Sequence, residues 1–173
     1  FNIMQVKAPE GYTAADIRTL EDTDWTPPVS TEKRPHIIMI MGEAFSDLSE
    51  NAHLDFTGYR DPMKNWKEIC AEEGTISGHV VVPNFGGGTS NTEYDVLTGC
   101  ATRYLGSSLP SYSFIHSDFD GMPRQLQKLG YETLSIHPGY AWFYNRQNVY
   151  PDLGFASSYF LEDSFDLATQ GYG

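Results

Sequence analysis

The chain has 173 residues, of which 11 are Lys or Arg and 23 are Asp or Glu, so its formal charge is −12. That length suits one domain with a sizeable core, the acidity opposes nucleic-acid binding, and 40% hydrophobic with 14% aromatic residues excludes a disordered chain. No run reaches the roughly eighteen apolar residues that cross a bilayer, and no basic segment leads into an apolar one as in a signal peptide.

Residues 1–34 contain Pro9, Gly11, Pro27, Pro28 and a string of acidic side chains from Glu10 to Asp24. They read as an arm or linker with one short helix over Thr13 to Leu20. At His36-Ile37-Ile38-Met39-Ile40-Met41 the chain becomes continuously apolar between Pro35 and Gly42, the pattern of a strand buried on both faces of a parallel sheet. Asp61-Pro62 opens a helical segment with Met63, Trp66, Ile69 and Cys70 on one face, stopped by Gly74. Thr75 to Val82 is β-branched and apolar and reads as a second strand ending at Pro83.

Gly86-Gly87-Gly88 follows, and Ser90 with Glu93 makes an S-x-x-E capping box, so a helix is predicted over Ser90 to Leu97. Met122 to Leu129 is a further short helix closed by Gly130, and Tyr131 to Ile136 a third strand running into His137-Pro138-Gly139. Strands alternating with helices predict an α/β fold with a mainly parallel sheet flanked by helices. Cys70 and Cys100 match no C-x-x-C pattern and read as two small buried residues.

In open α/β sheets ligands gather beyond the carboxyl ends of the strands. Glu43, Thr89 and His137 stand just after the three predicted strands. Glu43 is a hard oxygen donor suited to a divalent cation, or it complements the N-terminus of a following helix. Thr89 lies between the glycines and the helix. It is either the helix cap or a hydroxyl that a metal could turn into a nucleophile. The loop lacks the Gly-Lys-Ser/Thr of a nucleotide-binding P-loop. His137 to Arg146 combines an imidazole, a guanidinium and four aromatic rings, either a phosphate-and-polyol pocket or part of the core. His36, His53, His79 and His116 show no metal-ligand pairing and read as structural.

Three stretches together resemble the lipoteichoic acid synthase-like phosphoglycerol transferases, a branch of the alkaline phosphatase and sulfatase superfamily. Pro35-His36-Ile37-Ile38-Met39-Ile40-Met41-Gly42-Glu43 is similar to that family's first strand and metal-binding Glu. Gly87-Gly88-Thr89-Ser90-Asn91-Thr92-Glu93-Tyr94 is similar to the segment carrying its Thr nucleophile, and His137 through Tyr144-Asn145-Arg146 to Val149-Tyr150 to the segment that holds glycerophosphate. Where the family commonly has Ser after the Glu, this chain has Ala44.

The resemblance implies residues 35–173 as the N-terminal portion of a sulfatase-like catalytic domain, with the C-terminal half, including an Asp-His metal pair, elsewhere. It further implies Thr89 as nucleophile, Glu43 and Thr89 as ligands of one Mn2+ or Mg2+ ion, and His137, Tyr144 and Arg146 as substrate-binding residues. The implied partners are an anionic phospholipid headgroup, of phosphatidylglycerol type, and a polyol or glycan acceptor. The implied location is extracytoplasmic, anchored to the membrane by segments absent from this chain, with the fragment alone inactive. A phosphodiesterase of the same superfamily is the alternative within the class, and a non-catalytic glycan or lipid-headgroup binding module the alternative outside it. Cys100-Ala101-Thr102-Arg103 lacks the proline and spacing of a sulfatase C/S-x-P-x-R motif.

Overall fold

A computed structural model describes residues 10–21, 34–42, 45–84, 87–105 and 110–165, in two compact units, residues 1–40 and 41–173. In the first unit, α1 spans Ala14–Glu21. It starts where predicted because Thr13 acts as its cap: Thr13 Oγ1 accepts the Asp16 amide at 3.2 Å and donates to the Asp16 carboxylate at 2.6 Å.

In the second unit α2 spans Lys64–Cys70. Asp61 prepares its entry by accepting the Met63 amide at 2.8 Å and pairing with Lys67 at 3.0 Å, and Trp66 meets Phe45 edge to face at 5.0 Å between ring centres. The elements that follow are α3, Thr89–Thr98, α4, Met122–Lys128, and β1, Leu134–Ile136. They are joined by α5, Arg146–Leu153, β2, Ser157–Tyr159, and α6, Leu161–Ser164.

The sheet is a parallel pair, β1 beside β2, in the register Leu134 to Ser157, Ser135 to Ser158 and Ile136 to Tyr159. Parallel neighbours need a crossover, and α5 is that crossover. Register is reinforced by side chains: Ser135 Oγ donates to Ser158 Oγ at 2.7 Å, and Thr133 Oγ1 donates to the Gly154 carbonyl at 2.7 Å. Helices flank this small parallel sheet, in keeping with the α/β class.

The core is unusually aromatic. Tyr94, Tyr112, Ile115, Ala141, Val149, Tyr150, Leu153 and Phe160 are buried together. Tyr150 stacks on Phe160 at 5.8 Å and meets Tyr112 edge to face at 6.4 Å. Both helices of the candidate site, α3 through Tyr94 and α5 through Val149, Tyr150 and Leu153, are anchored here.

Four expectations are corrected. Residues 36–41 and 75–82 take no strand pairing among the described residues, and their apolar side chains face outward, Ile40 at 87%, Ile76 at 98% and Val81 at 94% exposure. A strand exists only with a neighbour to pair with, and apolar continuity does not supply one. The Ser90–Glu93 capping box does not form. Gly88 is the cap, in a left-handed conformation, and α3 begins at Thr89. Glu93 is drawn instead to a guanidinium far along the chain. Cys100 is exposed and Cys70 half-buried, both unpaired, where two buried residues were expected. Beyond these, β2, α5 and α6 are elements that the sequence reading did not anticipate.

Candidate active site

Thr89 opens α3 directly after two left-handed glycines, Gly87 at φ +110° and Gly88 at φ +85°. Residues with a Cβ rarely adopt such angles, so the glycines turn the chain sharply enough to present the first amides of α3 outward. The turn is tied down from several sides. The Asn91 amide returns to the Gly88 carbonyl at 2.8 Å, Asn84 Nδ2 donates to Thr92 Oγ1 at 3.0 Å, and Asn91 Oδ1 accepts the Ser111 amide at 2.8 Å. Thr89 itself is half-buried, and with Gly88 as the cap its hydroxyl does not have that duty. Next to it, the buried Ser90 Oγ has no hydrogen-bond partner among the described residues.

His137 is the first residue past β1, at the carboxyl end of the strand as predicted. Its amide still bonds the Tyr159 carbonyl at 2.9 Å, so the sheet fixes the backbone from which the imidazole projects. Nδ1 accepts the Gly139 amide at 3.0 Å. In the neutral ring that leaves the proton on Nε2.

Tyr144 and Asn145 are consecutive non-glycine residues in the left-handed region, at φ 56° and 61°, a strained arrangement for a bulky aromatic. They sit in a tight turn, Phe143–Asn145, that runs straight into α5. The turn is held by the Asn145 amide on the Trp142 carbonyl at 2.9 Å, the Gln147 amide on the Ala141 carbonyl at 3.0 Å and Asn148 Nδ2 on Asn145 Oδ1 at 2.6 Å.

Arg146, the first residue of α5, is 1% exposed. Its guanidinium closes on the Glu93 carboxylate as a fork, Nη2 to Oε1 at 2.7 Å and Nε to Oε2 at 3.1 Å. Nη1 donates to the Phe143 carbonyl at 3.2 Å, and the guanidinium carbon lies 5.2 Å from the centre of the Tyr144 ring. Glu93 Oε2 also accepts the hydroxyls of Tyr112 at 2.8 Å and Tyr150 at 3.3 Å. Burial pushes both phenols well above the usual tyrosine range, and the negative charge of Glu93 adds to it. For Arg146 burial alone would lower the pKa; the hydrogen bonds to Glu93 and its charge outweigh that and raise it.

The structure thus links the Thr89 helix to the segment bearing Tyr144 and Arg146, with Glu93 as the link. Glu43 lies outside the described residues. Among the described residues no three His, Cys, Asp or Glu side chains gather as metal donors, so these residues do not by themselves complete a metal site. Sequence reasoning named Glu93 only as a helix cap and missed Tyr112 altogether. No local signal marks a carboxylate whose partners lie 19 and 53 residues away.

The sulfatase family profile matches residues 35–170, and the chain belongs to that family, within the alkaline phosphatase and sulfatase superfamily. Members of this superfamily generally use a divalent metal ion. The chain is similar to a protein of Rhizobium meliloti (strain 1021) provisionally described as a cyclic beta-1,2-glucan modification protein, 32% identical over 151 residues, which are 87% of this chain and 22% of that one. It is also similar to the crystal structure of the lipoteichoic acid synthase LtaP from Listeria monocytogenes, with 27% identity and a TM-score of 0.42 over 47% of this chain and 19% of that one. The chain therefore spans about a fifth of the length of each relative. Among the described residues no helix is long and apolar enough to cross a membrane.

Proposed function

We propose that residues 35–173 are the nucleophile-bearing N-terminal part of the catalytic domain of a phosphoglycerol transferase, acting on an anionic phospholipid of phosphatidylglycerol type outside the cytoplasm. The observation that carries this reading is Thr89 as the opening residue of α3 after two left-handed glycines, its helix tied through Glu93 to the segment of Tyr144 and Arg146. Sulfatase-family membership supports phosphoester chemistry at such a residue.

In the proposed reaction Thr89 Oγ attacks the phosphorus of the phosphodiester. A new phosphorus–oxygen bond forms to Thr89, the bond to the diacylglycerol oxygen breaks, and the Thr89 proton ends on that oxygen as diacylglycerol leaves. An acceptor hydroxyl then attacks the same phosphorus, and its proton passes to Thr89 Oγ as the glycerophosphoryl group departs. The opening amides of α3 face the phosphoryl oxygens. His137 donates from Nε2, and the Tyr144 ring walls the glycerol. Arg146 has three of its five N–H groups on Glu93 and Phe143, and its remaining donors serve the phosphate. One Mn2+ or Mg2+ ion, held by Glu43 and Thr89 with donors beyond the described residues, would supply positive charge that makes the Thr89 hydroxyl more acidic. The acceptor is a polyol or glycan hydroxyl, a reading supported by the glucan-modification description of the Rhizobium relative.

The test uses the intact protein with phosphatidylglycerol vesicles and Mn2+. Diacylglycerol release, with a glycerophosphoryl group found on the peptide containing Thr89, is the expected result. Release with no modified peptide, or release that persists in Thr89→Ala, would overturn the assignment. Free glycerophosphate in place of an acceptor-linked product would identify a phosphodiesterase.

A further inference from the structure

We infer that Glu93 is a positioning residue: through Arg146 it locks the start of the Thr89 helix to the strained Tyr144–Asn145 turn, so that one carboxylate sets the geometry of both sides of the site. The inference rests on the catalytic reading above for its consequence on rate, and on the geometry alone for the lock.

Glu93 stands about one turn along α3 from Thr89, with its side chain 11% exposed. Its two oxygens accept four hydrogen bonds, two from Arg146 and one each from Tyr112 and Tyr150. A carboxylate held by three residues on two elements cannot slide along or rotate about the axis of α3 without breaking charge-assisted bonds in a buried setting. The helix that carries Thr89 is thereby indexed to α5 and to the turn holding Tyr112.

The other half of the lock is Arg146. The guanidinium that grips Glu93 also donates to the Phe143 carbonyl and lies against the Tyr144 ring. Phe143 and Arg146 thus bracket the two left-handed residues, Tyr144 and Asn145. Consecutive left-handed non-glycine residues persist only where their surroundings over-determine them. The fork supplies a restraint from the side chain where the Asn145 and Gln147 amides supply it from the backbone. If Glu93 loses its charge, Arg146 loses its fixed bearing, and the turn loses one of its restraints.

A buried ion pair often contributes little net stability against an apolar replacement, so stability alone does not account for this one. Conformational specificity does, and it makes a separate demand on experiment.

Glu93→Gln retains size and one acceptor oxygen while removing the charge and the symmetric fork. In the intact protein two readouts are taken beside thermal unfolding. The first is hydrogen exchange of the Asn145 and Gln147 amides and of the amides at 89–91. Faster exchange in both segments, at temperatures where the variant is fully folded, is expected. The second is the single-turnover rate of diacylglycerol release from phosphatidylglycerol. It is expected to fall about 10- to 100-fold, the range for misplacing a reacting group by up to an ångström, with KM changed less than kcat. Combining Glu93→Gln with Arg146→Lys is expected to be no worse than the poorer single variant.

Unchanged exchange in the turn, or a fully folded variant with the wild-type rate, overturns the lock. So does a loss of rate that lowering the temperature restores in proportion to the folded fraction. If Thr89→Ala stays active, the catalytic reading fails by itself, and the exchange experiment still decides whether Glu93 couples the two segments.

Discussion

Arg124 closes the C-terminus of α5 by donating Nη2 to the Asp152 carbonyl at 2.8 Å, the same oxygen that accepts the Phe119 amide at 2.8 Å. The same Nη2 lies 3.2 Å from the Pro151 carbonyl and 2.9 Å from the Asp118 carboxylate, and Nε donates to the Phe119 carbonyl at 3.2 Å. The approach is so close that a Cβ on Gly154 would lie 2.7 Å from the Arg124 amide nitrogen, at a φ of +99°. Gly154→Ala is therefore expected to cost about 2–5 kcal/mol from backbone strain and overpacking, and Arg124→Ala about 1–3 kcal/mol from lost caps. Urea unfolding checks both. An unchanged midpoint for Gly154→Ala would refute the contact.

Thr89→Ala separates chemistry from folding. Thr89 is half-buried at a helix start whose cap is Gly88, so its removal is expected to change stability by less than about 1 kcal/mol. Turnover of phosphatidylglycerol is expected to vanish. Parallel activity and melting measurements test the claim, which fails if activity above a few per cent survives or if the variant unfolds.

Arg146 is exposed to two separable tests. Arg146→Ala leaves the Glu93 carboxylate buried without its partner, an expected loss of about 3–5 kcal/mol. Arg146→Lys keeps the charge but cannot form the fork, so its loss is smaller, while soluble glycerophosphate is expected to bind more weakly by about 1–3 kcal/mol in calorimetry. Wild-type glycerophosphate affinity in a folded Arg146→Lys protein would remove Arg146 from the substrate-binding set.

The helices α1 to α4 were legible because their signals are local, whereas α5 and α6 were not anticipated. Thr13 before α1, Asp61-Pro62 before α2 and Gly130 after α4 are start and stop residues whose effect needs no distant partner. β1 was legible for the same reason, though shorter at its start than expected. Residues 36–41 and 75–82 were misread because strandedness belongs to a pair of segments. β2 was missed because its residues, Ser157, Ser158 and Tyr159, carry no apolar pattern; its place comes from the hydroxyl of Ser135 and the backbone of His137. In the site, the glycines betrayed the Thr89 turn, whereas the Glu93 connection depends on the folded path of the chain.

Tyr112 and Tyr150 predict an alkaline limit. Their pKa values are raised by burial and by the charge of Glu93, so the folded protein holds these protons more tightly than the unfolded chain, whose phenols ionise near about 10. The stabilisation is complete below that pH and is lost as the pH rises towards the folded values. Replacing both by Phe is expected to flatten the fall in stability above about pH 10. Equal slopes for the two proteins would show that these phenols do not contribute.

The outward apolar side chains at Ile76 and Val81 predict that the 173-residue polypeptide on its own self-associates. Its manganese affinity is expected to be weak, since among the described residues no three His, Cys, Asp or Glu side chains gather as metal donors. Ile76→Lys with Val81→Lys is expected to lower light scattering without altering the far-ultraviolet circular dichroism. A monodisperse parent chain with tight manganese binding would refute both expectations.

The Glu93–Arg146 contact also has a timetable. Fifty-three residues separate the partners, and a ribosome adding roughly 5–20 residues per second takes about 3–10 s to cover that distance. For those seconds the nascent chain carries a newly made helix whose central carboxylate has no counter-charge from α5. Burying that carboxylate before Arg146 arrives would cost its hydration without a compensating charge. The Glu93–Arg146 pair thus closes only once α5 exists, so α3 completes its buried contacts no earlier than that helix.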